Sequence, residues 1–311
     1  MNWWKWALAG AVIWRAFGPR LQPEFRPPQE HPLRVPGRTV FVGDDEYLVR
    51  EMGADDGVPV LLVHGLAGAS LTEWYQVAPK LAVDHRVIMI DHRGHGLSAP
   101  ADLRFEVEDD ADDLIGVLDD LGVGLVDVVG YSMGGVIAQA MAMRHPGRVR
   151  KLVLMATFAS HSEGYRMARR IGAILGRAWE RLTGVGTPEV RSGYLIARHA
   201  VQPEHARWVW SETQRRNVES GAQATFALLR FDSRDWIGRI GVDAMVMIPT
   251  NDFLVPPHWQ RELADAIPGA EVVEVEGAGH ELVWTHADRV ADELRRFLAG
   301  EASGDSGTGG E

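Results

Sequence analysis

Eight short β-prone runs recur along the chain from Arg38 onward, and most of them lack polar alternation. A strand with one face in water alternates apolar and polar side chains, whereas a strand covered on both faces does not. Val58–Val63, Arg86–Ile90, Leu125–Val129, Lys151–Met155, Ala244–Ile248 and Glu271–Val275 are therefore expected inside a layered structure. Thr39–Val42 and Tyr47–Glu51, joined through Gly43-Asp44-Asp45, read as an opening hairpin. Helical patterns lie between the runs. Val107, Ala111, Leu114, Ile115, Leu118 and Leu121 recur at helical spacing, and the intervening acids are expected to face water. Alternating strands and helices predict an α/β fold, with a mostly parallel central sheet of about eight strands and helices on both faces.

The alternation breaks between Phe158 and Ile240, where helical patterns occur without a convincing strand. The reading is an α/β core over 38–157 and 241–299, interrupted by a helical cap over 158–240. Tyr165, Ile171, Ile174, Leu175, Trp179, Leu182, Tyr194, Leu195 and Ile196 are expected to form mainly the cap's own core. Ten arginines from Arg166 to Arg216 crowd this segment and read as solvated helix faces, with an anionic surface or substrate as the sharper alternative.

The ends differ from the middle. Trp3, Trp4, Trp6 and Trp14 frame an apolar run between Lys5 and Arg15. It is far shorter than the roughly 20 apolar residues a membrane span needs. Residues 1–18 are read as an amphipathic helix that either lies in a membrane interface, giving peripheral association, or packs on protein. A proline-rich linker is expected over 19–37, and a disordered Gly/Ser-rich acidic tail over 300–311. The chain is placed in the cytoplasm or at the membrane periphery.

Composition narrows the chemistry. The net charge of -11 argues against nucleic acid as a partner. With no cysteine, thiol nucleophiles and cysteine zinc sites are excluded. No metal-ligand cluster or dinucleotide fingerprint stands out, so no cofactor is expected.

Three positions remain, each just after a strand. Gly130-Tyr131-Ser132-Met133-Gly134 joins a strand to a helix expected to start near Val136. A sharp turn there holds the serine in strained backbone angles, and the flanking glycines remove side chains that would collide. Asp252 follows the strand ending near Ile248, and His280 follows the last strand in Glu276-Gly277-Ala278-Gly279-His280. A serine hydroxyl needs a base to take its proton, and that base needs an acid to fix its tautomer. His280 is assigned as base from among 12 histidines for its place after the final strand. An oxyanion formed at such a serine calls for two N–H donors. Met133 and Leu66, the latter after His64-Gly65, are assigned to that task, while His64 itself is read as bracing its loop.

At these residues, and at Asp91-His92-Arg93-Gly94-His95-Gly96-Leu97-Ser98, the chain resembles the α/β-hydrolase superfamily from about Arg38 to Leu298. Within it, the lipase/esterase-like branch with a helical cap is most similar. The chain order Ser132, Asp252, His280 is the order nucleophile, acid, base of that fold. The resemblance implies that the Asp91–Ser98 stretch braces loops beside the site. It also disfavours epoxide-hydrolase and dehalogenase reactions, whose relatives carry aspartate where Ser132 stands. One departure is Pro249, three residues before Asp252, where the family often has glycine.

The expected activity is cleavage of carboxylic esters, of apolar acyl or lipid-like kind, through an acyl-enzyme. The alternatives are a triad hydrolase of C–C or amide bonds and a non-catalytic member that binds a ligand.

Overall fold

Successive residues of each central strand point to opposite faces of the sheet, and both faces are apolar. Leu61, Val63, Ile88, Ile90, Val128, Leu152, Leu154, Val246 and Ile248 enter one buried cluster. Val60, Leu62, Val87, Met89, Val129, Val153, Met155, Met245 and Met247 enter the other. A two-residue side-chain period with apolar cover on both sides is what makes these strands read as unbroken apolar runs.

The computed structural model describes residues 33–300, apart from 55–57, 67, 99–104, 162–163, 168–170, 173, 177–178, 180–185, 198–199 and 214–217. The tryptophan-rich segment 1–18, most of the linker and all but the first residue of the 300–311 tail lie outside the described residues. Among the described residues no helix is long and apolar enough to cross a membrane.

The sheet has eight strands: β1 (Gly37–Val42), β2 (Asp45–Met52), β3 (Val58–Val63), β4 (His85–Ile90), β5 (Val126–Tyr131), β6 (Val149–Met155), β7 (Asp243–Pro249) and β8 (Glu271–Val275). Their spatial order is β1-β2-β4-β3-β5-β6-β7-β8. The β1–β2 and β2–β4 pairs are antiparallel and all others parallel. The chain turns from β1 to β2 at Gly43, whose φ of 60° suits a residue without a Cβ.

One face is covered by α3 (Val107–Asp120) and α4 (Met133–Arg144), which follow the short helices α1 (Ser70–Trp74) and α2 (Ala78–Leu81) in the chain. Those two short helices and the C-terminal helix α10 (Ala287–Ala299) cover the other face. Val290, Ala291, Leu294, Phe297 and Leu298 form the buried stripe of α10, and Gly300 ends it in the left-handed conformation at φ 85°. Between β6 and β7 the described residues carry α5 (Thr187–Ala197), α6 (Ala206–Thr213) and α7 (Val218–Arg230), with one isolated bridge between Ser160 and Asp232. After β7 come α8 (Pro257–Ala266) and, past β8, the single turn α9 (Leu282–Thr285).

Two expectations need correcting. The acids of α3 do not all face water: Asp110 is fully buried and Asp113 is 9% exposed. Asp110 meets His92, and Asp113 takes bonds from Arg93 and from the Tyr47 hydroxyl at 2.5 Å. Inward acids are tolerated because each has a charged partner. Burial, joined by the hydrogen bond to Asp113, pushes the Tyr47 hydroxyl up, so it stays the donor of that pair. The second correction concerns the inserted segment. Leu195 is buried, but Ile171, Ile174, Leu175 and Trp179 are exposed and do not form a core of their own; Leu182 lies outside the described residues.

Parallel register brings four strand ends to one edge. Val63 pairs with Gly130, Tyr131 with Met155, Met155 with Met247 and Pro249 with Val275. The residues immediately after β3, β5, β7 and β8 therefore emerge side by side.

Candidate active site

Ser132 occupies the single residue between β5 and α4, which begins at Met133 rather than near Val136. Its φ of 54° and ψ of -115° are strained for a residue with a side chain. The surroundings enforce them. The Ser132 N–H donates to the Met155 carbonyl at 2.9 Å, and the Thr157 hydroxyl donates to the Ser132 carbonyl at 2.8 Å. A Cβ on Gly134 would stand 2.1 Å from the Val63 carbonyl oxygen, and one on Gly130 would stand 2.4 Å from the Gly134 oxygen. The two glycines are what allow the turn to press against the end of β3.

His280 and Asp252 converge on this serine. The His280 Nε2 lies 3.0 Å from the Ser132 Oγ, and its Nδ1 lies 2.8 Å from Asp252 Oδ2. A carboxylate against Nδ1 places the ring proton there and leaves the Nε2 lone pair facing the hydroxyl. Asp252 is itself fixed: its Oδ1 accepts the N–H groups of Leu254 at 2.8 Å and Val255 at 2.9 Å, and Gln260 Nε2 donates to its Oδ2 at 3.3 Å. Pro249 closes β7, and the following backbone is tied by Thr250 N–H to Val275 and by Asn251 N–H to Ala278 at 2.8 Å. The loop thus delivers Asp252 without a glycine at 249. Asp252 is buried, whereas Ser132 and His280 are partly exposed.

Of the two residues assigned to the oxyanion, Met133 directly follows the serine. Met133 is the first residue of α4, and a helix's first N–H has no carbonyl partner within the helix. Leu66 lies in the loop after β3, followed by Ala67 outside the described residues. That loop is anchored by the Gly65 N–H, which donates to the buried Glu73 Oε2 at 2.6 Å. His64 accepts the His92 N–H at its Nε2, 3.0 Å away. Asp91 accepts from the Ser70 N–H and hydroxyl through Oδ1 and from the Leu97 N–H through Oδ2. Among the described residues no group of three or more His, Asp or Glu side chains is placed to hold a metal ion.

Several supporting residues carried no sequence signal. The Tyr131 hydroxyl donates to the His280 carbonyl, Gln260 holds Asp252, and Thr157 holds the strained serine. From the inserted segment, the Tyr165 hydroxyl reaches the Leu254 carbonyl at 3.2 Å and the Tyr194 hydroxyl reaches Glu281 at 3.4 Å. The segment thus contacts both loops that carry Asp252 and His280. Phe253, beside Asp252, is 77% exposed.

Comparison with known proteins accords with this arrangement. Residues 58–287 match the family model described as alpha/beta hydrolase fold. A 2-hydroxymuconate semialdehyde hydrolase from Pseudomonas sp. (strain CF600) is 29% identical in an alignment that covers 85% of this chain and 94% of that protein. A putative carbamate hydrolase from Azorhizobium caulinodans is 29% identical in an alignment that covers 76% of this chain and 89% of that one. A solved thermophilic esterase from Thermogutta terrifontis superposes with a TM-score of 0.71 at 27% identity, covering 85% of this chain and 98% of that one.

Proposed function

The chain belongs to the alpha/beta hydrolase fold family, and we propose that within it the protein is a serine hydrolase that cleaves carboxylic esters through an acyl-enzyme. The observation that carries this reading is the position of His280, hydrogen-bonded to Ser132 Oγ on one side and Asp252 on the other. A hydroxyl bonded to an imidazole lone pair loses its proton as it attacks.

In this mechanism Ser132 Oγ adds to the ester carbonyl while its proton passes to His280 Nε2. Asp252 stabilises the imidazolium through Nδ1–H. The N–H groups of Met133 and Leu66 receive the oxyanion. Collapse of the tetrahedral adduct breaks the ester C–O bond, and His280 returns the proton to the leaving alcohol. Water then repeats the sequence on the acyl-enzyme, with His280 as its base. An apolar acyl or lipid-like ester is supported by the exposed Phe253 beside Asp252 and by the exposed Met167, Ile171, Ile174 and Leu175 of the inserted segment. Residues 1–18, outside the described residues, keep both expected roles, lying in a membrane interface or packing on protein.

The test is hydrolysis of p-nitrophenyl esters of increasing chain length, with Ser132→Ala as the blank. Loss of about 10⁴- to 10⁶-fold in kcat is expected, by analogy with other dissected triads. Near-native turnover by Ser132→Ala would refute the assignment, and a sharp preference for acetate over octanoate would refute the lipid-like substrate. A fluorophosphonate should label Ser132; a pure binding protein would not react. The name of the 29% identical semialdehyde hydrolase supports a second reading, in which the same three residues hydrolyse a 2-hydroxymuconate semialdehyde. Turnover of that compound with slight activity on activated esters would favour it.

A further inference from the structure

Behind the loop after β3 lies a buried set of three histidines that the steps above do not use. His64, His92 and His95 pack with ring centroids 3.9 Å (His64–His92), 5.7 Å (His64–His95) and 6.2 Å (His92–His95) apart. Their hydrogen bonds determine the protons. The backbone N–H of His92 donates to His64 Nε2 at 3.0 Å, so His64 carries its proton on Nδ1 and donates it to the Gly65 carbonyl at 2.8 Å. The His92 ring faces an acceptor on each side: the His64 carbonyl lies 3.0 Å from Nε2, and Asp110 Oδ2 lies 2.7 Å from Nδ1. A carbonyl can only accept, so His92 Nε2 is a donor. Asp110, in the first turn of α3, also accepts the Arg93 N–H at 3.3 Å.

We propose that His92 and Asp110 are positioning residues for the oxyanion loop: Asp110 holds the His92 ring, whose Nε2–H fixes the His64 carbonyl and thereby the orientation of the peptides leading to Leu66. This rests on the reading of Leu66 as an oxyanion donor. The connection is short. His64 is the first residue after β3, its carbonyl belongs to the peptide that bears the Gly65 N–H, and that N–H is fixed from the other side by Glu73 at 2.6 Å. One peptide plane is thus held at both ends by buried side chains, His92 and Glu73, before the chain reaches Leu66. Pulling a donor about 1 Å out of place can cost as much as 100-fold in rate. The ionic form of the pair fits its surroundings. Burial alone would lower the His92 pKa, but the carboxylate of Asp110 outweighs it and the value is raised. Burial acts in the opposite direction on Asp110, and His92 outweighs it there, so the acid is lowered. His95 is held neutral, first by burial and then by the charge on His92.

The test uses the full chain with His92→Phe, the double variant His92→Phe/Asp110→Leu, and Asp110→Asn. The double variant removes both partners together, leaving no unpaired buried charge if the single substitution fails to fold. Turnover is expressed per serine titrated with a fluorophosphonate, which removes any loss due to misfolded protein. KI is measured for a trifluoromethyl ketone whose tetrahedral adduct carries the oxyanion. The expectation is a fall of about 10- to 100-fold in kcat for both His92 variants, KM within about threefold, and a parallel rise in KI. Asp110→Asn should keep kcat within about threefold, because its amide can donate to Nδ1 and leave Nε2–H on the His64 carbonyl. If both folded His92 variants keep kcat and KI within threefold while Ser132→Ala is inactive, the positioning role is overturned and the serine assignment stands. A loss in Asp110→Asn as large as that in His92→Phe would also overturn it, by showing that charge and not the clamp matters. If Ser132→Ala stayed active, the serine assignment would fall and the clamp with it.

Discussion

The Tyr131 hydroxyl donates to the backbone carbonyl of His280 at 2.9 Å, linking the residue before the serine to the residue that carries the imidazole. The Tyr131 side chain is buried, with its ring edge-on to Trp74 at 6.3 Å and to Trp284 at 6.0 Å. The site's two halves are therefore registered against each other by one hydrogen bond in an aromatic cage.

Tyr131→Phe keeps the cage and deletes the bond. Leaving this part-buried carbonyl without its donor costs about 1 kcal/mol, the low end of the range for a lost hydrogen-bond partner. The expected outcome is a midpoint in urea lowered to match, with kcat on p-nitrophenyl butyrate down about 3- to 10-fold as the His280 loop loosens. Unchanged kcat and unchanged stability would show that the bond does not hold the loop.

Ser132 offers a prediction of the opposite sign. Its φ of 54° places a side chain where L residues are strained, at a cost of about 1–3 kcal/mol. Glycine adopts that conformation freely. Ser132→Gly should abolish ester hydrolysis and raise stability by about 1 kcal/mol, roughly 2 °C in Tm for a chain of this size. Ser132→Ala, which keeps the Cβ, should not gain as much. Calorimetry of the two variants side by side separates strain at the backbone from the loss of the hydroxyl.

Much of this layout is legible in the sequence, for physical reasons. Strands covered on both faces leave apolar runs, so Val58–Val63 coincides with the observed β3; Glu271–Val275 coincides with β8, although that strand lies at the sheet edge with Val272 and Glu274 exposed. Ser132, Asp252 and His280 stand out because each follows such a run, two of them with glycines nearby. What could not be read is pairing across elements. Helical periodicity sorted Asp110 and Asp113 with the solvated acids of α3, since their partners His92 and Arg93 lie on a loop far away in sequence. Gln260 and Tyr131 likewise acquire their roles only when the chain has folded. Residues 171, 174 and 175 fit a helical core pattern as well as they fit an exposed face, and periodicity alone cannot choose between the two.

His95 predicts how stability should respond to acid. It is buried, with its Nδ1 3.0 Å from the Arg93 carbonyl, and its pKa is lowered from 6.5 to about 4, first by burial and then by the charge on His92. A base whose folded-state pKa lies below its unfolded value takes up its proton first in the unfolded chain. Stability from this group is therefore present above pH 6.5 and lost progressively as pH falls towards 4. His92, whose pKa is raised, has the opposite sign and retains its contribution below pH 6.5; Asp110, lowered, loses its own only below about 3.8. Urea midpoints should thus drop between pH 6.5 and pH 5. In His95→Gln the slope should be shallower by up to one proton, about 1.4 kcal/mol per pH unit. An identical slope in the variant would show that His95 already protonates in the folded protein.

Gly134 is where fold and proposed chemistry constrain each other most tightly. A Cβ there would lie 2.1 Å from the Val63 carbonyl oxygen and 2.7 Å from the His64 oxygen, both backbone atoms that no side-chain rotation can move aside. Alanine must therefore push α4 away from the end of β3. That displacement would widen the space between the Met133 N–H and the loop bearing Leu66, the two groups assigned to one oxyanion. Gly134→Ala should lose about 1–3 kcal/mol of stability, as other overpacked sites do. It should also lose about 100-fold or more in kcat per titratable serine, the order of removing one oxyanion donor. Fluorophosphonate labelling would persist at a reduced rate because the Ser132–His280 contact does not depend on that gap. Full turnover in a folded Gly134→Ala protein would mean that the oxyanion is received elsewhere than between Leu66 and Met133.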